Sequence, residues 1–166
     1  MKLFRNLTVA AITAIATITP AFARVEEGTA DLLKALGANG IHITINERCD
    51  GSVHGSYHFA GMKREMHLCP GETIDAIDHN TVRHEALHAV QHCVNVARGT
   101  DINTPVMSYE ELRDLVNRYL SVDTVNFIKS SYPQDQWLVE FEANVMAEIA
   151  TADDILEYFN EACVGG

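Results

Sequence analysis

His84-Glu85-Ala86-Leu87-His88 is an H-E-x-x-H sequence. In an α-helix, residues four apart differ by only about 40° around the axis and about 6 Å along it, so both imidazoles can point at one metal. Glu85 lies on the same side. It is close enough to accept a proton from a metal-bound water without becoming a ligand. Zinc suits two imidazoles, and with one further protein ligand it keeps a position open for water. The flanking residues support a helix here. Val82, Ala86, Val90, Cys93 and Ala97 form one apolar stripe that stops at Gly99, and small Ala86 and Ala89 permit close packing beside the site.

A catalytic zinc needs a third ligand. His92 continues the same face but lies about 12 Å along the axis from His84, whereas zinc–nitrogen distances are about 2.1 Å, so one ion cannot hold all three histidines. The metzincin continuation H-x-x-G-x-x-H fails as well, because Gln91 and Val94 stand where it needs glycine and histidine. A second helix is the better source. Following Pro133, the stretch from Gln134 to Ala150 is helical in pattern and offers Glu140 and Glu142, which are about 200° apart and cannot both face the metal. Glu140 shares its face with Ala143, Asn144 and Ala147, two small residues and an amide able to hold a ligand histidine by its outer nitrogen. Glu142 has Met146 at the same offset and lacks that support.

At this point the chain resembles the gluzincin metallopeptidases, in which the H-E-x-x-H helix is joined by a glutamate from a later helix, often within E-x-x-A-[ND]. That pattern stands here as Glu140-Phe141-Glu142-Ala143-Asn144. The resemblance implies His84, His88 and Glu140 as zinc ligands, Glu85 as general base and acid, and Asn144 as support for a ligand. It covers the two motif helices, about a quarter of the chain. Cys49 to Cys69 followed by the motif helix is also similar in order to small metallopeptidases, in which a sheet edge before the metal helix pairs with an extended substrate. Gluzincins also carry a His, Tyr or Arg that stabilises the oxyanion, and Tyr57, His92, Tyr132 and Tyr158 are the candidates.

The elements that must position these residues are legible too. Ile41, Ile43 and Ile45 alternate with polar residues, and two short β-like runs follow, Gly55 to Phe59 and Met66 to Leu68. They predict a small antiparallel sheet of about three strands. His42, His54, His58 and His67 fall on these segments and read mainly as solvent-facing. Glu26 to Leu36 reads as a short amphipathic helix ended by Gly37. Ser108-x-x-Glu111 is a capping box opening a helix to about Leu120, and Thr151-x-x-Asp154 opens the last one. The expected class is α+β: a small antiparallel sheet, then a zincin H-E-x-x-H helix, then a helical C-terminal half.

Length and charge bound the partners. The chain has 166 residues, 47% hydrophobic, with 12 Lys+Arg against 23 Asp+Glu and a net charge of −11, so its field repels phosphate backbones and anionic membranes. Nucleic acid is excluded as a partner. Lys2 and Arg5, the apolar run from Leu7 to Ile18, Pro20 and Ala21-Phe22-Ala23 match a cleavable secretory leader over 1–23, leaving 24–166 as one domain with no membrane segment in the mature form. An exported chain, periplasmic or secreted, is expected to oxidise its cysteines, and Cys49–Cys69 with Cys93–Cys163 is the preferred pairing. A cysteine zinc site is disfavoured because no C-x-x-C spacing exists.

These readings point to an exported, zinc-dependent metalloendopeptidase-like hydrolase acting on peptides or proteins through a water activated by Glu85. The alternative is a catalytically silent zinc-binding domain that recognises a peptide or a cell-envelope partner.

Overall fold

The computed structural model describes residues 28–45, 54–60, 63–69, 78–100 and 102–164. The expected leader, 1–23, and Cys49 lie outside these residues. Helix α1, Thr29–Ala38, leads into strand β1, Ile41–Ile45; β2, Gly55–Ala60, and β3, Lys63–Leu68, follow. Gly37 lies inside α1 rather than ending it, and Asn39 closes the helix by donating its backbone and side-chain N–H groups to the Ala35 carbonyl.

The strand order is β1-β3-β2. β2 and β3 are antiparallel, as expected, but β1 runs parallel to β3, so the sheet is mixed rather than antiparallel. The cause lies in the connections. Two residues join β2 to β3, which suits only a hairpin, whereas parallel pairing of β1 with β3 needs the longer connection that the sequence provides between them. Among the described strands β2 is therefore at an edge. Its Tyr57 and Phe59 project towards α2, the motif helix, His79–Ala97.

α2 begins at Asp78, whose carboxylate accepts from the Asn80 backbone N–H, and it is followed by Gly99 at φ 74, a left-handed conformation that favours glycine. The helical half then runs α3, Tyr109–Tyr119; α4, Val122–Ser131; a 3-10 turn, Gln134–Gln136; α5, Trp137–Ile149; and α6, Ala152–Phe159. Both capping boxes are formed, at Ser108–Glu111 and at Thr151–Asp154.

Leu32 and Leu36 of α1, Met66 and Leu68 of β3, Val82, Ala86 and Val90 of α2, Ala143 and Met146 of α5, and Ile155 and Phe159 of α6 share one core. A second cluster, Leu112, Ile128 and Phe141, joins α3 and α4 to the opposite side of α5. α5 is thus gripped from both sides, and small Ala143 and Ala147 are fully buried on it. Cys93 and Cys163 form the expected disulfide, with Cα atoms 5.2 Å apart, pinning the C-terminal turn to α2 across 70 residues of chain. Closing a loop of that length removes about 4 kcal/mol of unfolded-state entropy in the chain-entropy account. Cys69 is also disulfide-bonded. No described helix is long and apolar enough to cross a membrane.

Candidate metal centre

Except for Thr29, the buried polar residues among those described all lie on α2 and α5: Glu85, His88, Gln91, His92 and Asn95 on the first, Glu140 and Glu142 on the second. Burying such groups is costly unless each finds a partner, so their concentration at one helix interface marks a site.

His84, His88 and Glu140 meet there. The two Nε2 atoms are 3.1 Å apart, and each is 3.4 Å from a different oxygen of the Glu140 carboxylate. Ligand atoms about 2.1 Å from a tetrahedral zinc lie about 3.4 Å from one another, so the triangle has the size of one face of such a tetrahedron. Glu140 Oε2 is buried and lacks a well-formed hydrogen bond among the described residues, His84 Nε2 reaching it only at 3.4 Å. A buried carboxylate oxygen so weakly satisfied is uncommon, and a cation beside it would complete its coordination. The three residues can therefore hold one metal ion, their ligand atoms all lying within 4.8 Å of one another. The arrangement is compatible with a zincin motif.

Electrostatics in the metal-free protein follow from this crowding. Burial disfavours the His88 cation, but hydrogen bonding and attraction from Glu140 outweigh it and carry the imidazole up to about 9. Burial likewise opposes ionisation of Glu140, yet hydrogen bonds from His84 and His88 hold its carboxyl down at about 2. A proton is held where a metal would sit. Glu85, only 5% exposed, is pushed up by burial, with His84 and His88 acting in the opposite direction.

β2 crosses directly over Glu85. A Cβ on Gly55 would stand 2.6 Å from Thr81 Cγ2, 2.9 Å from Glu85 Cγ and 3.0 Å from Glu85 Oε1, so the missing side chain is what lets strand and carboxylate lie together. Gly55→Ala is expected to displace Glu85 and lower any hydrolytic turnover by about 10–100-fold, the usual cost of misplacing a reacting group by about 1 Å, with metal content unchanged. Metal analysis beside kcat checks this, and unaltered kcat would contradict it.

The centre opens into a cleft of about 520 Å³ walled by Tyr57, His58 and Phe59 of β2, by Asn103 and by Tyr132. A second hollow of about 550 Å³, reaching His54, Thr81 and Phe127, shares Gly55, His84, Glu85 and Tyr132 with the first. The two hollows meet at these residues, beside the site. Burial, then the Glu140 and Glu85 carboxylates, push the Tyr132 phenol up to about 12, which keeps its proton in place. Asn103 Oδ1 is the other buried side-chain atom without a partner among the described residues, and Asn103 lines this cleft too.

Other expected roles are redistributed. His92 lies against β2, its Nδ1 3.1 Å from the Tyr57 hydroxyl and its ring stacked on Phe59 at 4.0 Å. Tyr158 borders a separate small cavity with Leu87 and Met146. Of the four oxyanion candidates, Tyr132 is the one that lines the cleft and whose phenol, after burial, feels the Glu140 and Glu85 carboxylates. Asn144 donates its amide N–H to the Glu140 backbone carbonyl one turn back, at 2.9 Å. The amide that meets a ligand imidazole is Gln91, whose Oε1 is 2.7 Å from His88 Nδ1. Gln91 lies three residues after His88, on the same helix face, and that spacing was the available signal. Glu142, the rival ligand, turns away from the triangle and accepts from Gln91 Nε2 and from the backbone N–H groups of Val106 and Met107.

Comparison of the chain with family models, with curated proteins and with solved structures returns no match. The functional reading rests on the residues and their geometry.

Proposed function

We propose that the chain is an exported zinc metalloendopeptidase of gluzincin type. The observation that carries the reading is the His84–His88–Glu140 triangle set beside a buried Glu85 where the two hollows meet. A bound zinc would supply a Lewis acid for the scissile carbonyl and lower the pKa of a water.

The chain's own residues account for the rest. Edge strand β2 supplies backbone groups on which an extended peptide can pair, placing its scissile bond over Glu85. Glu85 takes a proton from the attacking water and delivers it to the leaving nitrogen as the C–N bond breaks, and its raised pKa suits both halves of that transfer. The protonated Tyr132 hydroxyl is placed to donate to the carbonyl oxygen as it gains negative charge. Two hollows share His84, Glu85 and Tyr132, which leaves room for substrate residues beyond the scissile bond and favours internal cleavage over trimming from an end. Export rests on the leader-like 1–23, and the acidic composition favours peptide over nucleic acid.

Elemental analysis of chain 24–166, coupled to cleavage of a quenched-fluorescent peptide library, tests the proposal. One zinc per chain is expected, with hydrolysis lost to a chelator and restored by zinc. Protein that takes up no zinc on reconstitution would overturn it, and a zinc-loaded protein inert towards the library would favour the silent binding domain.

A further inference from the structure

Gln91 is fully buried and stands outside the ligand set, yet each of its polar atoms is committed. Nε2 donates to the Val139 carbonyl at 3.1 Å and to Glu142 Oε2 at 2.8 Å, which uses both amide hydrogens. The oxygen is left to face His88 Nδ1 at 2.7 Å. An amide oxygen can only accept, so Nδ1 carries the hydrogen, and in the neutral ring Nε2, the atom in the ligand triangle, is left with the lone pair that a metal needs.

The orientation of Gln91 is itself imposed. Glu142 accepts the Met107 N–H at 2.7 Å and the Val106 N–H at 2.9 Å, and its remaining capacity faces Gln91. Main-chain N–H groups cannot reverse their polarity. A carboxylate that satisfies them must also accept from Gln91, and Gln91 must then accept from His88. With Glu142 ionised, every bond from loop to ring has one permitted direction.

We infer that Gln91 is a positioning residue that selects the metal-binding tautomer of His88, and that Glu142, anchored on the 106–107 backbone, fixes Gln91 in that role. The inference rests on the reading of His88 as a ligand. It assigns the second buried glutamate of α5 to the metal centre without contact with the metal, and it makes zinc affinity depend on how the loop before α3 is docked.

Zinc dissociation constants of chain 24–166, measured by competition with a chromophoric chelator, test the relay. Gln91→Leu removes the acceptor, and the isosteric Glu142→Gln sets an amide among donors and lets Gln91 turn over. Each is expected to weaken zinc binding by about 10–100-fold. The double replacement Gln91→Glu with Glu142→Gln restores an acceptor facing His88 and a donor between the two side chains, while leaving the Val139 carbonyl without its donor, and is expected to bind zinc more tightly than either single variant. A merely structural role predicts no such rescue. Wild-type affinity in folded Glu142→Gln and Gln91→Leu proteins would overturn the relay, as would a folded double variant no tighter than the single ones. A wild-type chain that binds no zinc would instead remove the metal reading on which the relay stands.

Discussion

Glu85→Gln is expected to lower peptide hydrolysis by about 10²–10⁴-fold, the range assigned to a general acid–base group, while the protein still binds one zinc. The substitution is nearly isosteric, and Glu85 is not part of the His84–His88–Glu140 triangle, so the ligand atoms keep their places. What is lost is a basic oxygen able to receive a proton and give it back. The environment suits a group that exchanges a proton. Glu85 is buried and flanked by two imidazoles, with Gly55 of β2 close against its Cγ and Oε1. Burial raises the affinity for a proton, and the neighbouring histidines limit the rise, leaving a group able to change charge during turnover. Zinc analysis and kcat on the same preparation separate this outcome from simple loss of metal. Full activity in the variant would remove Glu85 from the mechanism, whereas a zinc-binding domain without catalysis would be indifferent to the change.

The ligand histidines and their helix were legible because helical spacing alone brings positions 84 and 88 together, and because the apolar stripe through Val82, Ala86 and Val90 fixes which side of α2 is inward. The choice of Glu140 over Glu142 was legible only in outline. Both glutamates are buried on α5, and what separates them is which facing atoms each meets: imidazoles for Glu140, amides for Glu142. That depends on the docking angle of α5, which periodicity does not encode. Asn144 illustrates the limit: its amide bonds a carbonyl within its own helix, a local option open to any Asn at that offset. Gln91 was considered only as a residue that breaks the metzincin pattern, although its three-residue distance from His88 pointed to contact. The sheet shows a similar boundary. Alternation of Ile41, Ile43 and Ile45 indicates a strand, but alternation does not encode whether that strand pairs parallel or antiparallel with β3. α4 escaped notice because its start at Ser121 follows directly on the end of α3, with Thr124 supplying the backbone N–H that Ser121 caps.

Glu140→Ala is expected to weaken zinc binding by more than the about 10–100-fold that follows loss of an outer partner, and also to change how binding depends on pH. In the metal-free protein His88 holds its proton up to about 9, through Glu140. Zinc must displace that proton, so wild-type affinity should rise about tenfold per pH unit until pH approaches 9 and then level off. Without the carboxylate the imidazole loses its chief support and burial pulls it back to the ordinary histidine range, near pH 6.5 or below. The rise should then end some two units earlier. The same coupling sets the stability of the metal-free fold. His88 titrates higher in the folded chain than in the unfolded one, so its contribution is complete below about pH 6.5 and is lost as pH climbs to about 9. Glu140 titrates lower, so its contribution is present above about pH 4.5 and is lost as pH falls towards 2. Both shifts describe one contact and are counted once. Metal-free wild type should therefore melt highest between about pH 4.5 and 6.5, and Glu140→Ala should flatten that profile. Chelator competition across pH 6–9, beside melting curves of the metal-free proteins, measures both effects. Parallel pH profiles in wild type and variant would show that Glu140 does not hold the His88 proton.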